Sequence, residues 1–272
     1  MMTLHSRAHS LNSLPGWIKR EDELSFGISG PKLRKLTPLI AALKKEKGAI
    51  LYGSAYSNFI LGAVQLLTEN QIDYRLVLKM PHTDKVVGNL SYLLRMVPKE
   101  KILSEADHLP EDYRVIPEGG DVPECYEGAK TLAKSICQNE DELGFTFSKV
   151  IIDAGTGISA IGLIKGLIEL KRDLPVHVFS VKITKEEFQT NLIQNNTIAN
   201  YEFHTLTTHK SFGAVPNMLL SFLNNVAQKE GFFLDPLYGA KVFYELTHSK
   251  RYLLDERTLI IHSGGALSLS GF

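Results

Sequence analysis

The 272-residue chain carries 30 basic and 30 acidic side chains, and its 44% hydrophobic content is that of an ordinary globular protein. That balance leaves no basic excess with which to hold nucleic acid or an anionic membrane surface. The two cysteines, Cys125 and Cys137, cannot form a metal cluster alone, and so low a count points to a reducing, intracellular setting. No apolar run approaches the roughly 18–20 residues that cross a bilayer. The opening MMTLHSRAHSLNSLPGW lacks the apolar core of a signal peptide. The expectation is a soluble cytoplasmic protein with no nucleic-acid or membrane partner. Its length allows one large α/β domain or two smaller lobes.

In chain order, the basic stretch SGPKLRKL (29–36) comes first, with Lys32 and Lys35 around Arg34. Alone it reads as the solvated start of a helix. GAILYGS (48–54) is a short apolar run ending in small residues, and SNFILGAVQLLTEN (57–70) reads as a helix opened by Ser57 or Asn58. DYRLVLKM (73–80) reads as a strand before the loop PHTDKVVG (81–88). KVIIDAG (149–155) reads as a buried strand, and SAIGLIKGLIELKRD (159–173) as the helix after it. VHVFSVKI (176–183) is a further strand, and NMLLSFLNNVAQKEG (217–231) a helix with Gly231 near its end. TLIIHSGG (258–265) closes the series as a strand running into glycines. Strand–helix alternation predicts parallel sheets with helices on both faces. Ligands in such sheets sit beyond the carboxyl ends of the strands. Three strands end in small or hydroxyl residues, GSAYSN, AGTGIS and HSGG, which predicts one shared polar cleft.

The clearest local signal is Gly155-Thr156-Gly157-Ile158-Ser159, where a strand enters and a helix leaves. Amides and hydroxyls at a helix N-terminus form an anion site. The bland reading is a tight turn that uses glycine for geometry alone. The stretch is no nucleotide P-loop, because the Gly-Lys-Ser/Thr ending is missing, and it is a poor dinucleotide fingerprint. Ser57 and Asn58 are read first as caps, and otherwise as a helix start that holds a carboxylate or a ring hydroxyl. Tyr238 in DPLYGAKVF reads alone as packed core, and Ser263 as a turn serine or a hydroxyl facing a ligand. His262 reads as packed or bonded to backbone.

Together and in this order, the pieces resemble the pyridoxal-phosphate-dependent family of 1-aminocyclopropane-1-carboxylate deaminase and D-cysteine desulfhydrase. WIKREDE resembles the family's entry strand, and SGPKLRKL its Gly-Gly-Asn-Lys-x-Arg-Lys-Leu. GSAYSN resembles Gly-x-x-Gln-Ser-Asn, and AGTGISAIGL the Ala-Gly-Ser-Gly-Gly-Thr phosphate loop. VVGNLSYLLRM and IPEGGDVPECYEGA resemble family segments between the two sheets. DPLYGAK resembles Asp-Pro-Val-Tyr-x-Gly-Lys, and IIHSGGALSL the closing His-x-Gly-Gly segment. The resemblance runs nearly end to end and implies an α/β, two-lobed fold of the tryptophan-synthase-β-like type (fold type II), with open, twisted, parallel-rich sheets. It places residues 1–36 and 146–272 in a larger cofactor-binding domain and 37–145 in a smaller α/β domain.

By the same resemblance the cofactor is pyridoxal 5′-phosphate and Lys32, rather than Lys35, is the Schiff-base lysine. Ser57 would touch the substrate carboxylate and share in proton transfer, and Asn58 would bond the ring hydroxyl. Gly155, Thr156, Gly157, Ile158 and Ser159 would hold the phosphate. Tyr238 would lie against the ring or substrate, and Ser263 would bond the pyridine nitrogen. A neutral serine there does not lock in a pyridinium, which moderates the electron sink and suits elimination. Five positions depart from the family pattern: Pro31, Phe59, Ile158, Phe212 and Gly239. Gly239 and Ser263 both speak against ring-opening of the cyclopropane substrate. The expectation is therefore a lyase of the D-cysteine desulfhydrase type, which takes an α-proton from a small amino acid and eliminates the β-substituent. Its products would be a keto acid and ammonia, with sulfide from D-cysteine. The alternatives are the cyclopropane deaminase, and a non-catalytic protein that binds the cofactor or an amino acid on the same fold. The sequence does not fix the oligomeric state, and a homodimer is one candidate assembly.

Overall fold

The computed structural model describes residues 4–25, 27–28, 30–80, 85–104, 107–197, 199–208 and 211–272. Ser29 and the loop residues 81–84 lie outside the described residues. The elements in chain order are β1 (Ala8–Ser10), β2 (Trp17–Lys19), α1 (Pro31–Leu43), β3 (Ala49–Ser54), α2 (Asn58–Glu69), β4 (Tyr74–Lys79) and α3 (Gly88–Met96). Then come β5 (Ile102–Leu103), β6 (Arg114–Ile116), α4 (Pro123–Leu143), β7 (Lys149–Ala154), α5 (Ile158–Glu169) and β8 (Val176–Ser180). The chain ends with α6 (Lys185–Gln194), β9 (Tyr201–Thr205), α7 (Asn217–Glu230), α8 (Gly239–His248) and β10 (Thr258–Ile261). Each strand and helix expected from the apolar pattern forms within a few residues of its expected bounds. No described helix is long and apolar enough to cross a membrane.

Two sheets result. The larger has the order β1-β2-β10-β7-β8-β9, and the smaller β5-β4-β3-β6. Every pair is parallel except β1 with β2. The alternation of side chains along a strand shows why both faces of the larger sheet are covered. Val150, Ile152 and Ala154 of β7 enter one apolar core, which they share with helices α1, α2, α4 and α5. Ile151, between them, enters a second core beneath α7 and α8. In β10, Leu259 and Ile261 face the first core and Ile260 the second.

Helix α1 carries the basic stretch, and its start is set by two local features. Pro31 stands in its first turn, where a missing N–H costs nothing because that N–H has no helical partner. Gly30, before it, has φ 37°, and a Cβ there would meet the Ser263 carbonyl oxygen at 2.4 Å. Only glycine allows the helix to begin this close to the chain beyond β10.

A buried polar network then fixes α1 in place. Arg34 Nε donates to Glu21 Oε2 at 2.6 Å and Arg34 Nη2 to Oε1 at 2.7 Å. Ser6 Oγ also donates to Glu21 Oε1. Arg34 Nη1 reaches the Leu4 carbonyl and Thr131 Oγ1, so one guanidinium joins the N-terminal segment, α1 and α4. Lys19 is fully buried alongside and donates to the Ser6 carbonyl, Ser135 Oγ and Asn139 Oδ1. Burial works to raise the Glu21 carboxyl, but the bonded Arg34 guanidinium, with Lys19 and Ser6, outweighs it and holds the group below its ordinary value. Burial pushes the Lys19 ammonium down to about 7.

Glu21→Gln would leave a buried guanidinium without its counter-charge, so it should cost about 3–5 kcal/mol, read by urea denaturation at pH 7. Folded Glu21 titrates below its unfolded value, so its contribution is full above the unfolded carboxyl range. It is lost as pH falls through the folded value, and the variant should lack this part of the acid sensitivity. A loss smaller than about 1 kcal/mol would show that the network does not hold the helix.

Candidate active site

The carboxyl ends of β3, β7 and β10 open on one cavity of about 380 Å³. Lys32, Ser57, Asn58, Tyr238, Ser263 and all five residues from Gly155 to Ser159 line it. The shared cleft expected from three polar strand ends is thus one continuous space.

One wall is the turn from β3 into α2. Ser57 is the N-cap of α2, and its Oγ accepts from the amides of Phe59 and Ile60. The hydroxyl hydrogen takes no part in the cap, which leaves it to donate. Asn58 follows, and its amide orientation is set by a residue that the sequence reading quoted only within VVGNLSYLLRM. Asn89 Nδ2 donates to Asn58 Oδ1 at 2.7 Å and to the Tyr56 carbonyl at 3.0 Å. Asn58 Nδ2 therefore remains a donor, with Asp235 Oδ2 3.5 Å away. Asn89 lines the cavity, and its buried Oδ1 has no partner within the described chain. The signal that could have found it is an asparagine at the second position of α3, directly after a glycine with φ 56°.

The opposite wall is the β7–α5 loop. Gly157, with φ 83°, is the N-cap of α5. The amides of Ile158, Ser159 and Ala160 form the first turn, where no helical carbonyl is available to them. The Ile158 side chain is packed in the first core. Gly155 makes room for Tyr238, because a Cβ at residue 155 would come within 2.9 Å of Tyr238 Cε1. Burial, with Asp235 and Asp153 nearby, pushes the Tyr238 phenol up and keeps it protonated.

Lys32 faces this tyrosine, with Nζ 5.6 Å from the ring centroid. Lys35 also lines the cavity, but its Nζ donates to the Gly119 carbonyl at 2.9 Å and lies over the Phe59 ring. Phe59 is thus buried packing for Lys35, and Phe212 stands edge-on to Tyr238 at 5.6 Å. Burial pushes the Lys35 ammonium down to about 8, with Lys32 lowering it further and Cys125 opposing. Asp235 ties the walls together. Its Oδ1 accepts from the amides of Leu237 and Tyr238, and its Oδ2 from Ser268 Oγ. Burial pushes this carboxyl up to about 6, against those bonds and the nearby Lys32. His262 is buried and its Nε2 bonds the Phe233 carbonyl, as a packed histidine should.

The Ser263 hydroxyl is not free. It donates to Asp153 Oδ1, and Asp153 also lines the cavity. The sequence reading passed over Asp153 as part of the strand KVIIDAG. Away from the cavity, His177, Glu202 and His204 converge on β8 and β9. The two imidazoles are bonded to each other at 3.0 Å with ring planes 9° apart, so their ring nitrogens aim at one another rather than at a common ion.

This architecture is fold type II of the pyridoxal-phosphate-dependent enzymes. The crystal structure of an ACC deaminase homologue superposes with a TM-score of 0.81 at 22% identity, covering 100% of this chain and 92% of the other. Apo diaminopropionate ammonia lyase of Escherichia coli gives a TM-score of 0.68 at 14% identity, covering 99% and 84%. Within that fold, the resemblance to the 1-aminocyclopropane-1-carboxylate deaminase and D-cysteine desulfhydrase family is borne out by its relatives. A putative 1-aminocyclopropane-1-carboxylate deaminase of Pyrococcus furiosus is 26% identical over 92% of this chain and 84% of its own length. The D-cysteine desulfhydrase of Serratia proteamaculans is 27% identical over 94% of this chain and 88% of its own length. The bifunctional D-cysteine desulfhydrase/1-aminocyclopropane-1-carboxylate deaminase of Arabidopsis thaliana is 25% identical over 93% of this chain. No family model matches the chain.

Ser57→Ala should lower stability by about 1 kcal/mol through loss of the α2 cap, while Ser57→Asp should keep most of it. Denaturant midpoints of the two variants decide this. Equal losses would show that Ser57 does not act as a cap.

Proposed function

We propose that the chain is a pyridoxal-phosphate-dependent lyase that eliminates a β-substituent from a small amino acid, with D-cysteine the preferred substrate. The observation that carries this is the convergence of an amine, an anion-binding helix start and an aromatic face on one cavity. The residues present fit the cofactor. The amides of the first turn of α5, with the hydroxyls of Thr156 and Ser159, suit a phosphate dianion. Asn58 Nδ2, oriented by Asn89, is a donor for a ring hydroxyl oxygen. The unpaired Asn89 Oδ1 offers an acceptor for a bound donor.

When bound, pyridoxal phosphate supplies an electron sink for the bond broken at the substrate's α-carbon. Lys32 holds the cofactor and then takes the α-proton. Ser57 donates its hydroxyl hydrogen to the substrate carboxylate. Tyr238 covers the ring, with Gly155 giving it space. The β-thiolate of D-cysteine leaves without strong acid assistance, and solvent water hydrolyses the resulting enamine to pyruvate and ammonia. Gly239 and Ser263 are the two residues that favour this substrate over the cyclopropane ring. Relatives named for each activity align equally well, so the substrate choice rests on those residues.

Two experiments test the reading. Borohydride treatment of the protein loaded with pyridoxal phosphate should fix the cofactor on Lys32. Lys32→Ala should abolish this labelling and Lys35→Ala should not. A peptide map with the label on Lys35 would overturn the assignment.

The second experiment offers D-cysteine and 1-aminocyclopropane-1-carboxylate to the loaded protein and measures sulfide, pyruvate and 2-oxobutanoate. Sulfide and pyruvate from D-cysteine, with no measurable 2-oxobutanoate, is the expected result. 2-Oxobutanoate with no sulfide would reverse the substrate choice. Silence from both, with cofactor bound, would favour a non-catalytic binding protein.

A further inference from the structure

Asp153 is the penultimate residue of β7, and β10 runs parallel beside it. Asp153 and Ser263 are both buried and both line the cavity. The Ser263 hydroxyl donates to Asp153 Oδ1. A serine has one hydroxyl hydrogen. With that hydrogen committed, Ser263 Oγ can only accept from a group placed against it.

We propose that Asp153 fixes the direction of this bond, so that the Asp153–Ser263 pair accepts a hydrogen from a protonated ring nitrogen of bound pyridoxal phosphate. The inference rests on the functional reading above and on the family resemblance, which puts Ser263 at the ring nitrogen. An unpaired serine serves either state of the ring, because it can donate to a bare nitrogen or accept from N–H. The pair serves only the second. A bare nitrogen would put two acceptors face to face in a buried site, which costs the desolvation of both. The reversed arrangement, with Ser263 donating to the nitrogen, would leave the Asp153 oxygen against the serine oxygen with no hydrogen between them. A negative charge one hydrogen bond behind the serine further favours the cationic ring. Asp153 acts on Tyr238 and His262, and burial pushes the Tyr238 phenol up and the His262 imidazole down, which favours the neutral form of both. The ring is thus a stronger electron sink than a lone serine implies, and Asp153 acts as a positioning residue through Ser263.

The test uses holoprotein loaded with pyridoxal phosphate carrying nitrogen-15 in the ring. The nitrogen resonance of the wild type at pH 7.5 should lie at the protonated pyridine position, with the coupling of an N–H. Asp153→Asn can present its amide hydrogens to Ser263 and free the serine hydrogen, so the resonance should move to the unprotonated position. Cofactor uptake with an unprotonated nitrogen in the wild type sinks the inference alone and leaves the lyase reading standing. So does a protonated nitrogen that Asp153→Asn and Asp153→Ala leave unmoved. If neither variant folds, the wild-type resonance decides. A chain that takes up no pyridoxal phosphate, by absorbance, sinks the functional reading and this inference with it.

Discussion

The bidentate bond between Arg34 and the buried carboxylate of Glu21 is the constraint on which the site depends. A buried ion pair is a weak source of stability, because desolvation offsets much of its attraction. What it supplies here is direction. Arg34 lies two residues beyond Lys32, about 160° from it around a helix, and Lys35 lies three beyond, only about 60° from Lys32. Pinning the guanidinium between Glu21, the Leu4 carbonyl and Thr131 therefore turns Lys32 and Lys35 toward the cavity. Gly30 adds the second fixed point by letting the start of α1 touch the chain beyond β10. The rotation of α1 and its distance from the Ser263 end of the cavity are set by these contacts, not by the helix itself.

Parallel pairing explains why so many polar groups meet in one place. Strands that run the same way deliver their carboxyl ends to the same edge, and the helices that follow start there. Ser57 and Gly157 are the N-caps of two such helices, α2 and α5. Each brings unpaired amides to the cavity, one set partly satisfied by the Ser57 hydroxyl and the other not. The site is polar because of chain direction, and Asn89 and Asp235 hold Asn58 and the Tyr238 backbone in place at its edge.

How much of this was legible in the sequence follows from how local each determinant is. Strands β3, β4, β7, β8 and β10 and helices α2, α5 and α7 announce themselves by apolar period and by caps within a few residues. Strand β5 has two residues and β1 three, too short for any period to appear. Helix α4 spans 21 residues but is polar on average, so its buried stripe is diluted by Lys, Glu and Asp on the outer face. The strand ends were readable as a cleft because each carries its own glycines and hydroxyls. Asn89, Asp153 and the Glu21–Arg34 pair were not, since their meaning lies in partners 31, 110 and 13 residues away. Departures from the family pattern resolve in the same terms. Pro31 sits where a helix lacks an N–H partner, and Ile158 turns its side chain into the core.

Burial and function part company at the two lysines. If a lowered pKa were the guide, Lys35 would be the nucleophile, because it is the more enclosed. Enclosure is the largest cause of that shift, and the Gly119 carbonyl occupies the amine. A nucleophile needs an approach as well as a favourable charge state. Lys32 has Tyr238 before it and the carboxyl of Asp235 within reach of its charge, at the edge where α5 opens. Lys35 instead behaves as a packed cation, its stem in the wall and its head on a carbonyl above Phe59. Under the proposed reading the two divide the work of the stretch SGPKLRKL. Lys35 seals the back of the cavity and Lys32 reacts at its front, with Arg34 between them setting the angle of both.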